Sequence, residues 1–305
     1  MEEQAVPSRR ECGAIAAHYL IVEANPDFRE RQRELEEATV QRMAFGEAAL
    51  RAEGPLTIPV VVHVVFNRES ENISDDQIES QISALNQDFR AQNPDISKVP
   101  AVWEGLVTDA NIQFTLASED PAGGTTTGIT RTRTDRTSFD INDTVKSEAT
   151  GGVDPWDTAR YLNIWVCNLA RGLLGYAQFP GGPPETDGVV IRNTAFGTTG
   201  TATAPFNLGR TTTHEIGHFL NLRHIWGDDF LCAASDLVAD TPNQARQNFG
   251  KPNFPHVTCN NGPNGDMFMN YMDYVDDDSM FMFTPQQVAR MLATLEGPRS
   301  TLGQS

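Results

Sequence analysis

The apolar positions of this chain change period along its length. Thr57-Ile58-Pro59-Val60-Val61-Val62-His63-Val64-Val65-Phe66 is an almost unbroken apolar run, too apolar to face water on either side, and reads as a fully buried strand. His63 lies inside it and is expected to be a satisfied core histidine rather than a ligand. From Ser74 the period becomes helical. Ser74 caps, Gln77 is expected to complete a capping box, Ile78, Ile82, Leu85 and Phe89 form the apolar stripe, and Asn93-Pro94 ends the segment. Ile112–Ala117 and Tyr161–Val166 read as further strands, and Leu173–Phe179 as another, closed by Pro180-Gly181-Gly182-Pro183. Near the end Thr284 caps a helix with Pro285 at its first position and Gln287 three residues on. Val288, Met291, Leu292 and Leu295 make its apolar face, and Gly297-Pro298 stops it. Strands interleaved with helices predict an α/β (α+β) fold, a mixed sheet backed by helices.

Two regions break the pattern. Pro26 to Arg51 is rich in Arg and Glu and poor in β-branched residues, suited to one or two exposed helices. Between His224 and Met269 periodicity is lost among Asp, Asn, Gly and Pro. Cys232 and Cys259 bracket much of that stretch, and a bridge between them would stabilise by about 3.5 kcal/mol on the chain-entropy model and imply an oxidising compartment.

Composition narrows the function. At 305 residues, 39% hydrophobic, the chain can bury one large core or two modest ones. A net charge of −18 argues against nucleic acid or an anionic membrane as partner and favours cationic substrates. No apolar run reaches membrane-spanning length, and Met1-Glu2-Glu3-Gln4 does not open a signal peptide.

The chemistry concentrates in Thr213-His214-Glu215-Ile216-Gly217-His218-Phe219-Leu220-Asn221-Leu222-Arg223-His224, which holds three of the six histidines. His214 and His218 share one helical face, so both imidazoles can hold one Zn²⁺. Glu215 flanks the metal as a candidate general base, and His224 supplies a third ligand, leaving the fourth tetrahedral position open. For His224 to reach the same ion the chain must turn sharply near Asn221, where φ > 0 is needed and Asn is the best-tolerated residue after Gly.

This motif resembles that of the metzincin zinc peptidases, which usually carry Gly where this chain has Asn221. Met269-Asn270-Tyr271-Met272-Asp273-Tyr274 resembles the metzincin Met-turn. Arg210-Thr211-Thr212-Thr213, Leu174-Gly175-Tyr176-Ala177-Gln178-Phe179-Pro180 and Asp240-Thr241-Pro242 narrow the resemblance to the pappalysin family, over roughly residues 56 to 296. It implies an upper subdomain with a twisted mixed β-sheet, backing helices and an active-site helix, above an irregular lower subdomain with Met-turn and C-terminal helix. It further implies a secreted endopeptidase acting on protein or peptide substrates, with Met272 as a structural support and Tyr274 near the zinc, or else merely packed. Residues Gly175, Tyr176 and Ala177 would form the edge strand that takes an extended substrate. Asp236, Asp240 and Thr241 look like a Ca²⁺ site, the alternative being a solvated acidic loop. In Arg9-Arg10-Glu11-Cys12-Gly13 the cysteine resembles a switch that fills the open zinc position. Residues 1–50 would then be a pro-segment and 51–305 the catalytic domain, the alternative being a buried Cys12 or one paired with Cys167. The family places an acidic residue beneath the side chain following the scissile bond. Counting from Met272 assigns that place to Asp278, against a solvated turn at Asp276-Asp277-Asp278. A carboxylate there favours Arg, and cleavage at Leu50-Arg51 would free the pro-segment.

Two rival functions remain. A non-catalytic peptide-binding module would have no need of Glu215. A zinc hydrolase of a non-peptide amide would have no need of an open edge strand.

Overall fold

A computed structural model of the chain describes residues 7–25, 27–45, 54–229 and 231–303. Two helices come first, α1 (Ala14–Ala24) and α2 (Phe28–Phe45). The rest opens with β1 (Leu56–Phe66), α3 (Asp75–Phe89), β2 (Ile112–Leu116), β3 (Ile129–Arg133), β4 (Leu162–Cys167), β5 (Gly175–Ala177) and β6 (Val189–Arg192). After these come α4 (Arg210–Phe219), β7 (Phe249–Gly250), β8 (Tyr274–Val275) and α5 (Pro285–Leu295).

The six-stranded sheet runs β2-β1-β4-β6-β5. β1 spans the whole height of the sheet. Its first half pairs with β2 and its second half with β3, while β4 runs along its other side, all parallel. This explains the unbroken apolar run, since Val60, Val61, Val62 and Val64 are buried on both faces. β6 continues in parallel, and only β5 is antiparallel, at the edge. His63 is fully buried and satisfied at both nitrogens, by Thr130 Oγ1 at 2.8 Å and Asn163 Oδ1 at 2.9 Å. Twisted mixed sheet, backing α3, active-site helix α4, Met-turn and α5 form the α/β (α+β) architecture expected.

Several local expectations needed correction. Ser74 caps α3 by accepting from the Gln77 amide at 3.2 Å, but Gln77 does not complete a capping box. Its side chain turns away to the Asn193 and Phe196 carbonyls and Thr201, tying α3 to the loop before α4. The box at Thr284 and Gln287 is complete. α1 was not foreseen, because it is apolar on several faces and carries no charge pattern. α2 is less exposed than its composition suggested, since Thr39 is buried and Glu36 reaches Arg290 of α5. Cys232 and Cys259 are bridged. Among the described residues no helix is long and apolar enough to cross a membrane.

Candidate active site

α4 ends at Phe219, and the chain turns through Asn221 at φ 73°, the left-handed conformation the spacing demanded. Leu220 and Leu222 amides close the turn onto the Gly217 carbonyl at 3.1 and 2.9 Å. His224 thereby returns to His214 and His218. All three imidazoles are buried, with Nε2 atoms 3.2 Å apart for His214 and His218 and 3.0 Å for His218 and His224.

Each ring is oriented from behind. His214 Nδ1 donates to the Tyr271 carbonyl at 2.7 Å and His218 Nδ1 to the Leu222 carbonyl at 2.8 Å, while His224 Nδ1 meets Asp228. A carbonyl can only accept, so Nδ1 carries the proton in His214 and His218, and their Nε2 lone pairs face the shared centre. Burial, then repulsion between neighbours, pushes these two imidazoles well below the usual histidine range, so they remain neutral. Converging lone pairs at 3 Å with no proton between them suit a cation. Cys12 Sγ completes the set, since the three imidazoles and this sulfur offer donor atoms within 4.8 Å of one another. Burial and the charge of Glu215 push the Cys12 thiol up, so by itself it stays protonated and donates to Glu215 Oε2 at 3.4 Å. A cation held among the imidazoles would favour the thiolate. The N₃S donor set and tetrahedral count fit Zn²⁺.

Glu215 is buried beside this centre, and burial raises its carboxyl to about 8 against the opposing influence of Cys12 and Arg10. The edge strand can lie this close only because residue 175 is glycine, where a Cβ would stand 2.8 Å from Glu215 Cγ. Below the site Met272 packs under α4, and a Cβ on Gly217 would be 2.5 Å from its sulfur. The Met-turn is held by Asn270, which accepts from the Met272 amide at 2.9 Å and exchanges two amide hydrogen bonds with Gln287 of α5. Tyr274 packs its ring against His214, His224 and Trp226 and donates to the Cys12 carbonyl at 3.4 Å.

The N-terminal segment lies in the cleft. The Gly13 amide donates to the Gly175 carbonyl at 2.8 Å, and the Leu174 amide to the Glu11 carbonyl at 2.9 Å. The segment thus runs parallel to β5. Tyr176 sends its side chain to the opposite, buried face beneath Lys146, and Ala177 is buried. Cys12 is not joined to Cys167, whose thiol is free and buried in β4.

The Asp278 side chain is 42% exposed, pairs with Lys251 and accepts from Ser279 Oγ at 3.2 Å. The short helical turn at 277–279 points its first carboxylate inward instead. Asp277 is fully buried and accepts from Arg10 Nη2 at 2.6 Å and from the Leu208 amide at 2.7 Å, beside the N-terminus of α4. The Arg10 guanidinium also donates to Thr211 Oγ1 at 3.0 Å and the Val275 carbonyl at 3.2 Å, and lies over the Phe206 ring. Sequence reasoning missed Arg10 and Asp277, as well as Asp228. The one available signal was Arg10 two residues before Cys12.

Asp236, Asp240 and Thr241 lie away from this centre. Asp236 accepts from Thr241 at 2.8 Å, and burial pushes its carboxyl up to about 7. Asp240 accepts from Thr284 Oγ1 and the Gln286 amide, both at 2.8 Å, and so ties the loop to the start of α5.

Residues 146–296 match the family described as pregnancy-associated plasma protein-A. An extracellular metalloprotease of Arthroderma benhamiae is 34% identical over 77% of this chain and 76% of its own. One from Arthroderma otae is 32% identical over 94% and 90%. Mature mirolysin of Tannerella forsythia, in complex with a cleaved peptide, superimposes with TM-score 0.81 at 51% identity, over 82% of this chain and 96% of its own. A promirolysin mutant superimposes with TM-score 0.87 at 46% identity, over 96% of both chains. With the histidine cluster, the Met-turn and these relatives in agreement, the chain belongs to the pregnancy-associated plasma protein-A (pappalysin) family of zinc metallopeptidases.

Proposed function

We propose that this chain is the latent precursor of a secreted endopeptidase that cuts proteins before arginine, with Arg10 and Cys12 blocking its own site. The observation that carries the reading is that one short extended segment puts a sulfur on the histidine cluster and a guanidinium on the buried Asp277. The extracellular metalloproteases among its relatives, and the larger share of this chain spanned by promirolysin than by the mature enzyme, support secretion and a removable N-terminal part.

His214, His218 and His224 would hold Zn²⁺, which would supply the Lewis acidity that polarises a carbonyl and acidifies water. The remaining work falls to the chain. Glu215 takes a proton from the attacking water and hands it to the departing amine. Tyr274, once freed from the Cys12 carbonyl, donates its hydroxyl to the developing oxyanion, a role worth about 2.7–4 kcal/mol for such donors. Main-chain groups of Gly175 and Ala177 align the substrate as an added strand. Asp277 receives the arginine that follows the scissile bond, as it now receives Arg10.

Polarity explains why the segment inhibits rather than being cut. It runs from the Asp277 slot towards the metal centre, whereas a substrate with arginine after the scissile bond runs from the metal centre towards Asp277. The blocking strand is therefore reversed. Release would come from cleavage at Leu50-Arg51, which lies outside the described residues. We also assign Ca²⁺ to Asp236, Asp240 and Thr241, whose carboxylate and hydroxyl oxygens are the hard donors it takes; the ion would favour the ionised form of Asp236 against the burial that raises its carboxyl to about 7.

Spontaneous processing of the purified chain, followed by N-terminal sequencing beside the Glu215→Ala variant, tests the proposal. The expected mature chain starts at an arginine, and the variant stays whole. A new terminus that does not begin with arginine, or equal processing of the variant, contradicts it.

A further inference from the structure

Removal of the pro-segment uncovers a second charged recess that the mechanism does not use. α2 packs on α5, and Glu36 meets the otherwise buried Arg290 in a bidentate pair, both hydrogen bonds 2.7 Å. Arg290 is fixed from behind, because its Nε donates to the Asn221 carbonyl at 3.1 Å. Arg223, stacked on the Phe179 ring at 4.4 Å, acts on the same carboxylate. Burial alone would raise Glu36, but the hydrogen bonds and charge of Arg290, with Arg223 behind, outweigh it and hold the carboxyl below its usual value. The Glu36 side chain is 30% exposed, so this is a partly closed recess with fixed donors, not a free surface pair.

Its position relates it to the cleft. Gln32 donates to the Pro180 carbonyl and Leu35 covers Gly181, so α2 sits just past the end of the edge strand that begins at Gly175. Arg10 and Asp277 lie at the other end. A substrate with arginine in the Asp277 slot therefore passes its preceding residues along Ala177, Phe179 and Pro180 towards Arg223 and Arg290. At about 3.3 Å per extended residue, Phe179 lies some four residues beyond Gly175.

We propose that in the processed enzyme Arg290 and Arg223 form a carboxylate-binding subsite, which selects an acidic side chain about three to five residues before the scissile bond. Glu36 occupies that subsite in the precursor, as Arg10 occupies the arginine slot. The inference rests on the proposed cleavage before arginine and on loss of the pro-segment. Once Glu36 departs, Arg290 and Arg223 still repel each other, with Asp228 left to act on Arg223, and an incoming Asp or Glu relieves that repulsion while pairing bidentately with Arg290.

The test uses the full-length chain after its own zinc-dependent processing and peptides carrying one fixed arginine. Glu is placed at each of the five preceding positions in turn, with a Gln peptide matched to each. At one position, the third to the fifth before the bond, the Glu peptide is expected to be cut about tenfold faster in kcat/KM, the gain of one charge-assisted pair, and that ratio shrinks in molar salt. In Arg290→Gln and in Arg223→Gln the same ratio falls towards one. Because it compares two substrates of one protein, a general loss of activity does not mimic that fall. Cleavage before arginine with Glu and Gln equal at every position overturns the subsite alone. No cleavage before arginine overturns the proposed function, and the subsite with it.

Discussion

Arg10 and Asp277, 267 positions apart in the chain, meet at 2.6 Å with their side chains 1% and 0% exposed. A buried ion pair adds little to stability compared with apolar packing of the same volume, yet loss of one partner leaves a costly unpaired charge. Evolutionary economy aside, such a pair makes sense if the carboxylate has a second partner to receive once the first departs.

Replacement of that carboxylate should therefore show in specificity. Asp277→Asn is expected to lower the preference for arginine over leucine after the scissile bond by about a hundredfold, the low end of the cost of breaking a buried pair. Asp278→Asn, which alters the exposed pair with Lys251 and the contact with Ser279, should leave the preference within about twofold. Paired kcat/KM values on two peptides check both. An Asp278 effect as large as that of Asp277 would return the pocket floor to the position first read from the sequence.

Latency should depend on both anchors. Cys12→Ala removes the sulfur from the histidine centre, and Arg10→Ala opens the Asp277 slot, so each precursor should process itself sooner than the wild type. The half-time of processing, followed on gels, is the measurement. Unchanged half-times in both variants would mean that α1 and α2 alone block the cleft.

Glu215→Ala should keep a full equivalent of zinc, since the three imidazoles and their partners Tyr271, Leu222 and Asp228 are untouched. Turnover should fall by roughly 10²–10⁴, the usual worth of a positioned general base. Metal analysis beside peptide hydrolysis separates the two effects. Zinc loss in this variant would place Glu215 in the ligand set.

Calcium should raise the melting temperature, because an ion bound only by the folded state stabilises it by about 2.7 kcal/mol at a hundred times its Kd. Asp236→Asn should abolish the increment. A melting temperature indifferent to millimolar calcium removes Asp236, Asp240 and Thr241 as ligands.

The sequence made legible what depends on local spacing. The His214/His218 helical face, the left-handed turn at Asn221, the double burial of β1 and the complete cap at Thr284 each follow from a few neighbouring residues. What stayed hidden depends on residues far apart in the chain. Gln77 reads as half a capping box until the loop at 193–201 offers it better partners. Asp277 and Asp278 are indistinguishable in a run of three acids, and only the turn at 277–279 decides which one faces Arg10. α2 looks like a solvated helix because the partner of Glu36 lies 254 residues away on α5.

The central claim, a zinc endopeptidase that cuts before arginine, is tested most directly by mapping every bond the processed protein cleaves in a diverse peptide mixture, with chelator and with zinc restored. The account predicts cuts before arginine, their loss in chelator and their return with zinc. Cuts without arginine on the carboxyl side of the bond, or cuts that persist in chelator, would contradict it.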